Sequence, residues 1–218
     1  MNNAMDKNAG IALTIFAVLL LFTMVLHPAG GSIAHLVDIT PMIVVTHAVA
    51  LLALPFGWAG FWGLTQKLGM DRFGSLLAFA TASLGLVAVM LAATINGIVL
   101  PIYVHPYKDA APEAVAAIKP ILQYGFALNH AFDYIYTVAF CLAILGWSVE
   151  VLLTRRMARW IGWFGIVLSV ATGTIFIGGL AVNSLKGFHL FAGSIIIWIL
   201  VIGKFLSSSS KSYSSSRN

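Results

Sequence analysis

The segment Asn129-His130-Ala131-Phe132-Asp133-Tyr134-Ile135-Tyr136 places an amide, an imidazole and a carboxyl within an otherwise apolar stretch. On a helix Asn129 and Asp133 stand at i and i+4 and share a face, while His130 and Asp133, at i and i+3, adjoin. Tyr136 and Thr137 continue the stripe one turn further. An ionised aspartate in hydrocarbon costs at least about 2.5–3.5 kcal/mol, and an ionisable group inside a membrane is a functional candidate by default. No Lys or Arg stands at the depth of Asp133 in any apolar segment. Asp133 must then be protonated, hydrated, or paired with an imidazole or a bound cation. His47 and His130 are the candidate partners.

The other groups able to do chemistry follow the same pattern. Of the six histidines, His27, His35, His47, His105, His130 and His189, none falls in the half of the apolar segments where basic residues collect. Asn96, Asn129, Asp133 and Asn183 share that bias. The expected ligand-binding set is His47, Asn96, Asn129, His130 and Asp133. Imidazoles from separate helices also ligate haem, zinc or copper, with a carboxylate orienting them, so His47, His130 and Asp133 are the candidate metal ligands and a metal ion or haem is the candidate cofactor. The bland alternatives are interfacial placement for His27, His35, His105 and His189, and an interhelical hydrogen bond for His130 with Asp133. There is no HExxH and no pair of histidines at i,i+4. A phosphate-binding glycine loop, a G-x-S-x-G elbow, a mid-span lysine for a Schiff base and a desaturase-type histidine box are also missing.

The elements that must position these residues follow from composition. The chain has 218 residues, 60% hydrophobic and 9% charged, with mean hydropathy +0.97. Soluble domains carry roughly 25% charged residues, so a free soluble globule, a disordered chain and a coiled coil are excluded. About 20 apolar residues span a bilayer as a helix. Six stretches qualify: 10–26, 41–64, 73–103, 121–153, 160–182 and 188–206. The third and fourth exceed what a bilayer needs, so they tilt or project. Unbroken apolar runs without period-two alternation exclude a barrel. The first run is longer than a signal core and is followed by His27-Pro28, so it reads as a retained helix. The expectation is an all-α polytopic membrane protein, one six-transmembrane-helix bundle over residues 1–206. The Ser-rich tail, 207–218, reads as flexible and cytoplasmic.

Nine of the twelve Lys and Arg residues lie at the two termini and in the second and fourth loops; Lys108, Lys119 and Lys186 lie on the opposite side. The positive-inside rule puts both the N-terminus and the C-terminus in the cytoplasm. The net charge of +5 is then mainly a topology signal, and nucleic acid is not an expected partner because the basic residues form no stripe. In this orientation every histidine falls on the outer face or in the outer half. A rise of about 1.5 Å per residue puts His47, Asn96 and His130 roughly 9–13 Å along their helices, in one layer, with Asp133 a turn deeper. Small residues at Ser75, Ala78, Ala82, Gly85 and Ala92, and at Gly57, Gly60 and Gly63 after Pro55, read as close helix packing. The tryptophans read as an aromatic belt, and Glu150 is expected to reach towards Arg155–Arg159. The single Cys141 excludes an intrachain disulfide.

A long apolar helix ending in Arg155-Arg156-Met157-Ala158-Arg159 and restarting with Trp160-Ile161-Gly162-Trp163-Phe164-Gly165 resembles bacterial six-span integral membrane proteins that carry no assigned activity. His27-Pro28-Ala29-Gly30-Gly31 and Phe61-Trp62-Gly63-Leu64-Thr65 are similar to the same kind of protein. The resemblance implies the architecture and a bacterial inner-membrane setting, with the lipid bilayer as partner. It implies no oligomeric state and no reaction. Binding or transport of a small-molecule or cation ligand at the polar set is the leading expectation. A structural or partner-binding subunit, or a membrane-embedded metal- or haem-dependent enzyme, are the alternatives.

Overall fold

Caps and prolines set the helix boundaries. The computed structural model describes residues 3–27, 31–178 and 185–208, and every regular element among them is helical. They are α1 (Asn3–Val25), α2 (Ile33–Asp38), α3 (Thr40–Leu68), α4 (Phe73–Thr94), a π-helical turn (Ile95–Val99), α5 (Leu100–Val104), a 3₁₀ turn (His105–Tyr107), α6 (Pro112–Thr154), α7 (Arg159–Ile177) and α8 (Leu185–Ser208). The Ser32 hydroxyl accepts from the His35 N–H and caps α2. Prolines occupy the first turns of α3 and α6, where a missing N–H is harmless. Gly69, at φ +123°, ends α3, a conformation that a side chain resists. Asn183 and the tail 209–218 lie outside the described residues.

Among the described residues six helices are long and apolar enough to cross a membrane: Ala4–Val25, Thr40–Leu68, Phe73–Tyr107, Pro112–Thr154, Arg159–Phe176 and His189–Ser208. The fourth starts at Pro112, ahead of the expected boundary at 121, because the Ala-rich stretch from Glu113 to Ile118 is a good helix former and the helix runs on through Lys119-Pro120. Its 43 residues give about 65 Å of helix against a hydrocarbon core of about 30 Å.

The six spans follow chain order around the bundle. α1 packs on α3 and α8, α3 on α4, α4 on α6, and α6 on α7, with α7 against α8 the thinnest joint among the described residues. Small side chains let the backbones approach. Gly57, Gly60 and Gly63 of α3 face Phe16, Leu13 and Ala9 of α1, and a methyl group on Gly60 would stand 2.5 Å from the Leu13 side chain. Ser75, Ala78, Ala82 and Gly85 are buried on α4, where Gly85 meets Phe140 and Ala78 meets Gly146 of α6. α3 continues through Pro55.

In the half nearer Arg155–Arg159 the interior is filled by aromatic rings. Phe61 stands edge-on to Phe16 at 5.8 Å and stacks on Trp147 at 5.0 Å, and Trp147 stacks on Trp198 at 6.0 Å. The Trp147 indole N–H donates to the Thr65 hydroxyl over 3.1 Å. An interfacial belt therefore does not account for Trp147 and Trp198, which are 0% and 1% exposed; Trp62, Trp160 and Trp163 do face outwards. Glu150 also departs from expectation. It is buried and accepts from the Arg72 guanidinium, because antiparallel packing of α4 on α6 sets the start of α4, at Gly74, directly against its carboxylate. At the same end Lys67 pairs with the buried Asp6 at 2.6 Å, tying α3 to α1.

Candidate functional site

The opposite half of the bundle holds a cavity of about 380 Å³ to which all six spans contribute lining residues. Its walls are mostly apolar and aromatic, with Phe16, Phe140, Phe176 and Phe191 among them. Polar groups are few: Thr23, His27, His47, Asn96, Asn129, His130, Asp133, Tyr136 and Thr137. The five residues expected from sequence to bind a ligand all line this one space.

Four elements position them. Asp133, Tyr136, Thr137 and Phe140 form one stripe of α6, following the i, i+3, i+4, i+7 spacing of a single face. Asn129 lies a turn earlier, and its amide N–H donates to Asp133 Oδ2 over 3.2 Å. Asn96 donates to Asn129 Oδ1 over 2.5 Å, so a continuous amide–amide–carboxyl chain joins the π-helical turn to α6. Asn129 is thereby fixed by a bond on each side. The other carboxyl oxygen of Asp133, Oδ1, accepts no hydrogen bond among the described residues.

His47 is buried on α3, with Nδ1 2.7 Å from the Ile43 carbonyl oxygen. A carbonyl only accepts, so Nδ1 carries the proton and Nε2 is the nitrogen left for a guest. Gly97, in the π-helical turn, lies against the His47 side chain, and any larger residue there would collide with it. His27, at the end of α1, brings its ring to 5.7 Å from that of His47. The Thr46 hydroxyl donates to the Leu26 carbonyl at 3.2 Å and holds these two helix ends together.

His130 occupies a different position from its neighbours. One residue turns a helix by about 100°, so His130 flanks Asp133 on the side away from Asn129. Its side chain is 56% exposed, and Nδ1 stands 3.9 Å from Asp133 Oδ2, beyond hydrogen-bond reach. His35 and His105 are exposed and belong to the surface of this end.

This geometry lends the metal expectation no support. Among the described residues no three His, Cys, Asp or Glu side chains converge as a metal-ligand set, and His47, His130 and Asp133 do not form one. His47 is buried in the cavity wall, whereas His130 borders the same space with a side chain that is more than half exposed.

Sequence reasoning missed three contributors. The π-helical turn at Ile95–Val99 aims Asn96 inwards, and such bulges commonly accompany functional sites; a single sequence gives no signal for it. His27 lies at a helix end, yet it reaches the cavity. The aromatic walls were legible only as an apolar period, since Phe16, Phe140, Phe176 and Phe191 come from four helices. Beside the cavity, α2, α5 and the start of α3 form a small apolar cluster of Leu36, Val37, Ile43 and Val104. Lys108 clips it with a 2.7 Å bond to Asp38. This hydrogen bond, with the ammonium charge, holds the Asp38 carboxyl below its usual range and raises the Lys108 ammonium. Comparison with protein-family models, with curated proteins and with solved structures gives no match for this chain.

Proposed function

We propose that this chain is an integral protein of a bacterial inner membrane, with both termini in the cytoplasm, that binds a small ligand or cation in the outer half of its bundle. The observation that carries the reading is the cavity between six apolar helices, where the polar groups of four elements meet and aromatic walls surround them. Ligand sites are typically concave and mostly apolar, with a few convergent polar groups fixing orientation. The basic residues supply the orientation: among the described residues Lys7, Lys67, Arg72, Arg155, Arg156, Arg159 and Lys204 stand at the end away from the cavity. The stacked rings of Phe61, Trp147 and Trp198 fill the cytoplasmic half. They support a vestibule open to one side, and transport would require them to move.

Native mass spectrometry of the purified chain tests this reading. Wild-type protein is expected to retain a small molecule, and Ala192→Phe, which places a ring in the cavity, to lose it while keeping its fold. Equal retention by both proteins contradicts the reading.

A further inference from the structure

We propose that the guest of this cavity is a lipophilic organic cation, an apolar body carrying a tertiary or quaternary ammonium, and that it reaches the cavity from the bilayer along the groove between α6 and α7. The assignment rests on the cavity being a ligand site and adds the chemistry and the route.

The charge of the site sets the class. No Lys or Arg lines the cavity among the described residues, and the one carboxyl that does is Asp133. Its Oδ2 is oriented by the Asn129 amide, and its Oδ1 takes no hydrogen bond among the described residues, so one oxygen is left for a guest. A tertiary ammonium supplies a single N–H for that oxygen; a quaternary one supplies charge alone. The surroundings suit either, because aromatic faces attract cations and recur in quaternary ammonium recognition. Tyr136 and Phe140 follow Asp133 on its own helix face, and Phe191 packs on Tyr136 with ring centres 5.7 Å apart. His47 does not compete for the same charge, since it keeps its Nδ1 proton on Ile43 O and offers a lone pair at Nε2, and His130, 3.9 Å from Oδ2, leaves Oδ1 open.

The route follows from a second space. A groove of about 280 Å³ runs between α6 and α7, and it shares Thr137 and Phe176 with the central cavity. Its outer rim is lipid-facing in character: Val138, Leu142 and Val170 are each about half exposed. Among the described residues nothing stands within 4 Å of where a side chain on Gly173 would begin, so the groove is open to them at that point. Phe176, packed edge-on against Tyr134 at 5.0 Å, separates groove from cavity. A guest already dissolved in the bilayer needs only that ring to turn in order to bring its charged head towards Asp133.

The test uses the full chain in lipid nanodiscs with radiolabelled dodecyltrimethylammonium, dodecanol and dodecyl sulfate, subtracting empty discs. The ammonium is expected to bind at least about tenfold more tightly than the other two. Asp133→Asn should remove that preference and Asp133→Glu should restore most of it, which separates charge from folding. Gly173→Trp, which plugs the groove, should slow association about tenfold or more while leaving equilibrium affinity within about twofold. If dodecanol or dodecyl sulfate binds as tightly as the ammonium, and Ala192→Phe abolishes that binding, the cavity is a ligand site of other chemistry and the cation assignment is overturned. If none of the three binds above empty discs, both the assignment and the ligand-site reading fall. Unchanged association with Gly173→Trp overturns the route.

Discussion

Replacing Trp147 with Ala tests whether the stacked rings hold the bundle together. Trp147 is fully buried, stacks on Phe61 and Trp198 and donates to Thr65. Each aromatic pair contributes about 0.5–1.5 kcal/mol beyond simple burial, and the indole hydrogen bond about 1 kcal/mol. Thr65 keeps its own bond to the Phe61 carbonyl, so its hydroxyl is not orphaned. In water Trp→Ala in a core costs about 3–5 kcal/mol. Between membrane helices packing replaces the hydrophobic drive, so the lower end of that range, about 3 kcal/mol, is expected for Trp147→Ala. Trp147→Phe keeps most of the stacking and loses the hydrogen bond, for about 1 kcal/mol. Reversible unfolding in mixed micelles of mild detergent and dodecyl sulfate reads both values. The reasoning is refuted if Trp147→Ala stays within about 0.5 kcal/mol of wild type, or if the phenylalanine variant is the less stable of the two.

Two further outcomes follow from the ion pairs. Arg72→Ala leaves Glu150 buried without its partner and is expected to destabilise the chain by about 3 kcal/mol, with Arg72→Ala/Glu150→Gln recovering much of it; the same micelle titration checks this, and additive losses contradict it. The Asp38–Lys108 clip is expected to hold at neutral pH and to release as pH falls through the depressed Asp38 pKa, because a lowered carboxyl pKa contributes only while the group is ionised. NMR titration of the Asp38 carboxyl should give a midpoint below the usual value of about 3.9, returning to it in Lys108→Ala.

The helical class and six membrane-length helices were legible because apolar runs of that length have few other outcomes. The Asn129–Asp133 bond was legible from an i,i+4 spacing on one helix. What escaped depends on helix phase and on register between helices. His130 is one residue from Asn129, yet its side chain is largely exposed where it borders the cavity. Glu150 finds Arg72, 78 positions away, in place of the nearer Arg155–Arg159 cluster, because the α4–α6 register decides its neighbour. Trp147 and Trp198 look like interfacial residues in sequence, and only the convergence of α3, α6 and α8 shows them stacked inside. The start of α6 at Pro112 escaped for a local reason, since Lys119-Pro120 reads as a break in sequence, yet the helix continues through it.

Side-specific accessibility of the cavity tests the central claim most directly. In a Cys141→Ser background, His47→Cys and Asp133→Cys would each be exposed to a membrane-impermeant cationic methanethiosulfonate from one face of sealed vesicles at a time. The account predicts that both thiols react from the outer face only and that Ala192→Phe protects both. Reaction from the cytoplasmic face, or labelling of both thiols that Ala192→Phe leaves unchanged, contradicts a shared cavity in the outer half.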